Sequence, residues 1–148
     1  MPAVRDILAR KGTLVVTAAP DTPVLEAARL MNQRGIGAVV VMEGTSLRGI
    51  FTERDLMVRV VAEQKDPSTT LVGEVMSRRL VTARAETKID ECAALMTQQR
   101  IRHLPVLSGD TLAGVITIGD LLAFRLDEQE MTITQLNSYL YEDRKSVV

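Results

Sequence analysis

A chain of 148 residues with 18 Lys and Arg against 19 Asp and Glu has a net charge of −1, so nothing draws it electrostatically to nucleic acid or an anionic membrane. With 2 Phe, 2 Tyr and no Trp it offers almost no surface on which bases could stack, a second argument against nucleic acid. Its 46% hydrophobic and 25% charged residues suit one compact domain or two small subdomains sharing a core. The single Cys92 excludes an intrachain disulfide and fits a reducing compartment. The N-terminal stretch carries Arg5, Asp6, Arg10 and Lys11 and lacks the apolar centre of a signal peptide. The longest purely apolar run, Ala38 to Met42, is far too short to cross a bilayer. A cytoplasmic location without a membrane partner is expected.

The chain is a duplication. Val16–Leu56 laid on Val81–Leu121 without a gap is identical at 17 of 41 positions, where unrelated windows would share roughly two or three. Ahead of each copy lies a short matching segment, Val4-Arg-Asp-Ile-Leu8 and Val72-Gly-Glu-Val-Met76, expected as the first helical turn of its unit. A first strand follows (Leu14–Thr17; Leu80–Thr82), then a helix starting at Thr22-Pro23 or Thr87-Lys88, with Pro23 at the favoured first helical position. Apolar residues recur at helical spacing, Val24, Ala27, Ala28 and Met31 in one copy and Ile89, Cys92, Ala93 and Met96 in the other. That places Cys92 in the core rather than at a reactive site. A buried strand (Ala38–Met42; Leu104–Leu107), a Gly turn (Glu43-Gly44; Ser108-Gly109-Asp110) and another strand (Leu47–Phe51; Leu112–Ile116) complete the sheet.

Each copy then ends in a second helix that starts at Thr-x-x-Asp, in Gly49-Ile-Phe-Thr-Glu-Arg-Asp55-Leu56 and Gly114-Val-Ile-Thr-Ile-Gly-Asp120-Leu121. Where a strand's carboxyl end meets a helix N-terminus, free N–H groups and the helix dipole favour anions, and α/β folds often bind ligands there. The same spacing is also that of a capping box, a reading that suffices for Thr87-Lys-Ile-Asp90. After the second repeat, Met131, Ile133, Leu136, Tyr139 and Leu140 form a partial helical stripe over 127–142. The stripe predicts a helix that either packs back on its own chain or helps join two subunits.

The order β-α-β-β-α, both Thr-x-x-Asp motifs and Ile101-Arg-His-Leu-Pro-Val106 make the chain resemble a tandem pair of CBS domains, a Bateman module. The first repeat departs in having Val40 where the second has Pro105. The resemblance implies an α/β (α+β) fold in which repeats 4–65 and 72–126 pack as an intramolecular pseudo-dimer, with 127–148 a helical extension. It implies clefts for adenosine-containing regulators (AMP, ADP, ATP, NAD or S-adenosylmethionine), with no obligatory cofactor. In such clefts the Asp takes the ribose hydroxyls and the Thr lies near the phosphate. One cleft would thus hold Thr117 and Asp120 with Val16, Ile36, Gly37 and Ala38. The other would hold Thr52, Asp55 and Arg54 with Val81 and Ile101. Arg102 and His103 contribute to both, meeting the phosphate in the first, which makes the Asp120 cleft the better anion site.

The leading expectation is a regulatory, signal-transducing module that reports an adenine nucleotide to an unidentified partner protein. The second is a structural dimerisation module whose clefts no longer bind. An enzyme is not expected, since one Cys and one His supply neither a nucleophile–base arrangement nor a metal site. A homodimer is expected because the helices after each motif (Leu56, Met57, Val60, Val61; Leu121, Leu122, Phe124) need a cover.

Overall fold

The computed structural model describes the backbone of residues 1–147 and the side chains of residues 1–137; Tyr139 and Leu140 of the tail stripe lie outside those side chains. The first repeat comprises α1 (Val4–Lys11), β1 (Thr17–Ala18), α2 (Val24–Arg34), β2 (Ala38–Glu43), β3 (Ser46–Thr52) and α3 (Glu53–Asp55), which widens into a π-helical stretch over Leu56–Val61. The second comprises α4 (Val72–Val75), β4 (Ala83–Arg84), α5 (Ile89–Gln99), β5 (His103–Ser108), β6 (Thr111–Thr117) and α6 (Ile118–Val147). Each repeat builds one three-stranded sheet, ordered β1-β2-β3 and β4-β5-β6. In both, the first pair is parallel and the second antiparallel. The duplication extends to the defects: the ladder slips at Val41/Met42 and again at the matching Val106/Leu107.

The central strands are apolar without alternation because both faces are covered. Val39 and Val41 lie in one core and Leu104 and Val106 in the other. Val40, on the opposite face, is still only 2% exposed, and its counterpart Pro105 is buried too. Such two-sided burial is what a sheet lying between its helices and a second layer requires.

The segments ahead of the repeats are exchanged. Val4, Ile7 and Leu8 of α1 sit in the core of the second repeat, with Ile89, Cys92, Leu104 and Phe124. Val72, Val75 and Met76 sit in the core of the first, with Val24, Met31, Val41 and Phe51. Neither leading turn therefore packs on the repeat that follows it.

The exchange also explains why two expected helix caps are absent. Thr22 and Thr87 do not cap α2 and α5; the N-cap residues are Pro23 and Lys88, one place earlier for Pro23 than the expected first helical position. The orphan N–H groups find backbone carbonyls from the exchanged segments instead: Val24 donates to Thr70 and Leu25 to Pro67, while Ile89 donates to Pro2. Thr87 Oγ1 is engaged elsewhere, accepting from the Arg84 N–H in a tight turn. The first strands are likewise displaced toward Thr17 and Ala83, because they pair only where Val40 and Val106 stand opposite; Leu14 is left 87% exposed.

At the far end of α2 and α5 the copies differ in one physical respect. Gly35 ends α2 at φ 63°, and Arg100 ends α5 at φ 54°. The left-handed region costs a non-glycine residue about 1 kcal/mol or more. Arg100→Gly should therefore raise stability by about 1 kcal/mol, about 2–4 °C in a thermal melt.

The tail is helical, but it is not a separate element. α6 runs without a break from the second motif into the 127–142 segment. Among the described residues its stripe does not pack back on its own chain as one expectation had it: Met131, Ile133 and Leu136 are 59%, 56% and 57% exposed.

Candidate functional site

The two Thr-x-x-Asp motifs sit where the spacing puts them, at the turn from β3 into α3 and from β6 into α6. Both are capping boxes. Asp55 N–H donates to Thr52 Oγ1 at 3.2 Å and Thr52 N–H to Asp55 Oδ2 at 3.0 Å. Asp120 N–H donates to Thr117 Oγ1 at 3.0 Å and Thr117 N–H to Asp120 Oδ2 at 2.9 Å. The first helical N–H of each is also taken, Glu53 donating to Gly37 O and Ile118 to Arg102 O. These bonds tie the segment before β2 or β5 to the helix start of its own repeat.

Beyond the caps the two carboxylates differ sharply. Asp55 is 5% exposed. Its Oδ1 accepts from Ser77 Oγ at 2.9 Å, and its Oδ2 accepts from the Thr52 hydroxyl at 3.2 Å. Arg59 Nε lies 3.8 Å from Oδ1, while its Nη1 donates to Met76 O at 2.9 Å. Ser77 is held in place by a two-way bridge to Ile50, and the carbonyl of Ser77 would come 2.7 Å from a Cβ at Gly49. Only glycine lets the exchanged segment approach so closely. Asp55 is thus saturated by donors of its own chain.

Asp120 keeps more of its surface, with 22% of the side chain exposed against 7% for Asp55. Its one charged partner among the described residues is Lys11, whose Nζ donates to Oδ2 at 2.6 Å and to Val115 O at 2.9 Å.

Around Asp120 the other expected residues fall as follows. His103 opens β5, half-buried, paired in register with Thr117 as Ala38 is with Thr52. Arg102 precedes the strand and is exposed, so it escapes the alternation that would send neighbours to opposite faces. A Cβ at Gly37 would meet Glu53 Oε1 at 2.8 Å and His103 Cε1 at 3.5 Å, so the segments before β2 and β5 do meet between the repeats. Val16 and Ile36 pack half-buried on the first core, Val81 and Ile101 on the second. Arg54 is exposed in the first turn of α3. Three residues at the two carboxylates escaped the motif reading, Lys11, Arg59 and Ser77, as did the place of Glu53 beside Gly37. Sequence carries no signal for Lys11, which lies 109 positions from Asp120.

The family profile of the CBS domain matches residues 4–62 and 72–127. The chain is a tandem pair of CBS domains. It is 35% identical over 129 residues to the CBS domain-containing protein YhcV of Bacillus subtilis, covering 87% of this chain and 89% of that one. A CBS-domain protein of Burkholderia ambifaria assigned to signal transduction superimposes with a TM-score of 0.83 at 39% identity, covering 86% of this chain and 96% of the other. The CBS domain pair of protein MJ0100, solved with 5′-methylthioadenosine and S-adenosyl-L-methionine, shares the fold with a TM-score of 0.77 at 24% identity, over 86% and 98% of the two chains. Among the described residues no cluster of His, Cys, Asp and Glu suits a metal ion. No helix among the described residues is long and apolar enough to cross a membrane.

The lone histidine and cysteine of this CBS pair both respond to burial. Burial lowers the pKa of His103 from 6.5, the Glu53 carboxylate opposing it and Lys11 and Arg102 reinforcing it. Burial, with the charge of Glu91, pushes the Cys92 thiol up to about 11, as befits a core residue with 0% exposure. For His103 the sign is unambiguous. Below pH 6.5 the unfolded chain takes up a proton that the folded chain resists, so stability falls as pH is lowered through that value. Melts from pH 7.5 down to about 5.5, above the carboxylate range, should show this decline in the wild type and a flatter profile in His103→Gln.

Proposed function

We propose that this CBS pair is a non-enzymatic regulatory module that binds an adenosine-containing ligand (AMP, ADP, ATP, NAD or S-adenosylmethionine) in the cleft of Asp120 and Thr117. The observation that carries the reading is the difference between the two carboxylates: Asp120 retains exposed surface and one displaceable partner, whereas Asp55 is buried under Ser77 and Thr52. A carboxylate with a free edge accepts from two vicinal hydroxyls, and a helix start with Arg102 beside it suits a phosphate. Val16, Ile36, Gly37 and Ala38 supply the apolar wall and backbone groups that a flat base needs. The fold it shares with MJ0100 accommodates two such ligands in that protein. The Asp55 cleft, with Thr52, Arg54, Val81 and Ile101, is the weaker site or none.

A thermal-shift panel of the five ligands tests the reading. Ligand at 100 times its Kd should stabilise by about 2.7 kcal/mol, roughly 5–10 °C for a chain of this size. No shift with any of them favours the second reading, a structural dimerisation module in the cytoplasm.

One observation favours association whichever reading holds. Met57, Val58, Val61, Leu122 and Leu126, on the helices after the two motifs, are 45–65% exposed. Large apolar side chains left exposed on two helices are candidates for an interface. We expect a homodimer that covers them, and the exposed stripe of α6 adjoins it. Light scattering at micromolar concentration should give twice the 16.3 kDa chain mass; the monomer mass would contradict the dimer. The protein it regulates is expected to read α6 or this face.

A further inference from the structure

We propose that Lys11 is a further residue of the Asp120 cleft and makes it selective for adenosine ligands that carry a negative charge. This rests on the ligand reading above and narrows it to a class of ligand. Lys11 is the last residue of α1, and that helix is firmly seated. Val4, Ile7 and Leu8 lie in the core of the second repeat. Arg10 sits over the Phe124 ring at 4.5 Å and pairs with Asp127 at 3.3 Å. The ammonium is therefore delivered to Asp120 by a fixed backbone, and it donates to Oδ2 at 2.6 Å and Val115 O at 2.9 Å. The two side chains are partly buried, 33% and 22% exposed, so the pair is screened less than a fully exposed one.

Lys11 and the Thr117 N–H both take Oδ2 of Asp120 and leave Oδ1 open, so a ribose diol that spans both oxygens competes with Lys11 for Oδ2. The ligand thus weakens the contact that balances the ammonium. A phosphate on the ligand restores a counter-charge, and the flexible four-carbon stem lets the ammonium follow it. A neutral nucleoside restores none, and a sulfonium adds a second positive charge. Arg102 lies in the same field, since it and Lys11 both lower the His103 pKa while the Asp120 and Glu53 carboxylates both oppose them.

Calorimetric titration of AMP, adenosine and S-adenosylmethionine into the full chain tests this, with wild type, Lys11→Met and Lys11→Arg. The wild type should prefer AMP to the other two. Lys11→Met should weaken AMP about tenfold, as for one lost charge-assisted contact, and leave adenosine and S-adenosylmethionine unchanged or tighter. Lys11→Arg should keep the preference. If Lys11→Met shifts all three equally, or none, Lys11 sets no selectivity and the ligand reading stands without it. If no ligand binds either wild type or Lys11→Met, the ligand reading itself fails and the selectivity with it.

Discussion

Asp55→Ala should lower the melting temperature by about 10 °C without changing ligand affinity, and Asp120→Ala should do the reverse. The two residues occupy equivalent places in the repeat, so the contrast arises entirely from their surroundings. Removing Asp55 leaves the Thr52 N–H and the Ser77 hydroxyl without an acceptor in a site 5% exposed. Each unsatisfied buried donor costs about 1–3 kcal/mol, and roughly 3 kcal/mol in sum is about 10 °C for a chain of this size. The anchored Ser77 also holds Met76 in the first core, so the loss should loosen the exchanged segment. Removing Asp120 forfeits a half-exposed cap and ion pair, about 1 kcal/mol of stability. It removes the ribose acceptor as well, which should weaken ligand by about 1.5–3 kcal/mol. Melts and titrations of the two variants side by side check both halves.

The second large effect comes from the exchange of leading helices. Deleting residues 2–12 takes Val4, Ile7 and Leu8 out of the core of the second repeat, at about 1.5–3 kcal/mol for each side chain. That loss is comparable to the whole stability of an ordinary domain. Amides of α5, β5 and β6 should then lose hydrogen-exchange protection, while those of α2, β2 and β3 keep it through Val72, Val75 and Met76. Loss of protection in the first repeat instead would mean that each leading helix serves the repeat it precedes.

Much of the fold was legible because duplication doubles every local signal. Strands β2, β3, β5 and β6 end within one residue of where apolar runs and turn glycines put them, and Cys92 lies in the core that its helical spacing implies. The first strands and the helix caps were misjudged for one shared reason. Their hydrogen-bond partners, Val40, Val106, Thr70, Pro67 and Pro2, come from other segments, and local pattern cannot register a partner that is distant in sequence. The tail was read correctly as helix, but the destination of Met131, Ile133 and Leu136 could not be, since amphipathic spacing shows that a face exists and not what covers it.

The site divides in the same way. Thr52, Asp55, Thr117 and Asp120 were visible as motifs, and Gly37 and His103 do come together between the repeats. What separates an open carboxylate from a saturated one is the identity of the residue delivered from the exchanged segment. For Asp55 that residue is Ser77, and for Asp120 it is Lys11. They come from different places in the leading segment, Ser77 one residue past the apolar match Val72–Met76 and Lys11 three residues past Val4–Leu8, so the motif alone cannot rank the clefts. The basic pair Arg102 and His103 ranked them in the same order for a different reason, and His103, held below its ordinary pKa by burial, supplies the weaker part of that argument.

Isothermal calorimetry of AMP with wild type and Asp120→Ala is the most direct measurement of whether Asp120 marks a working adenosine site. The account predicts one ligand per chain for the wild type, with affinity reduced at least about tenfold in Asp120→Ala. Equal affinity in the two proteins, or two equivalent ligands per chain, would contradict it.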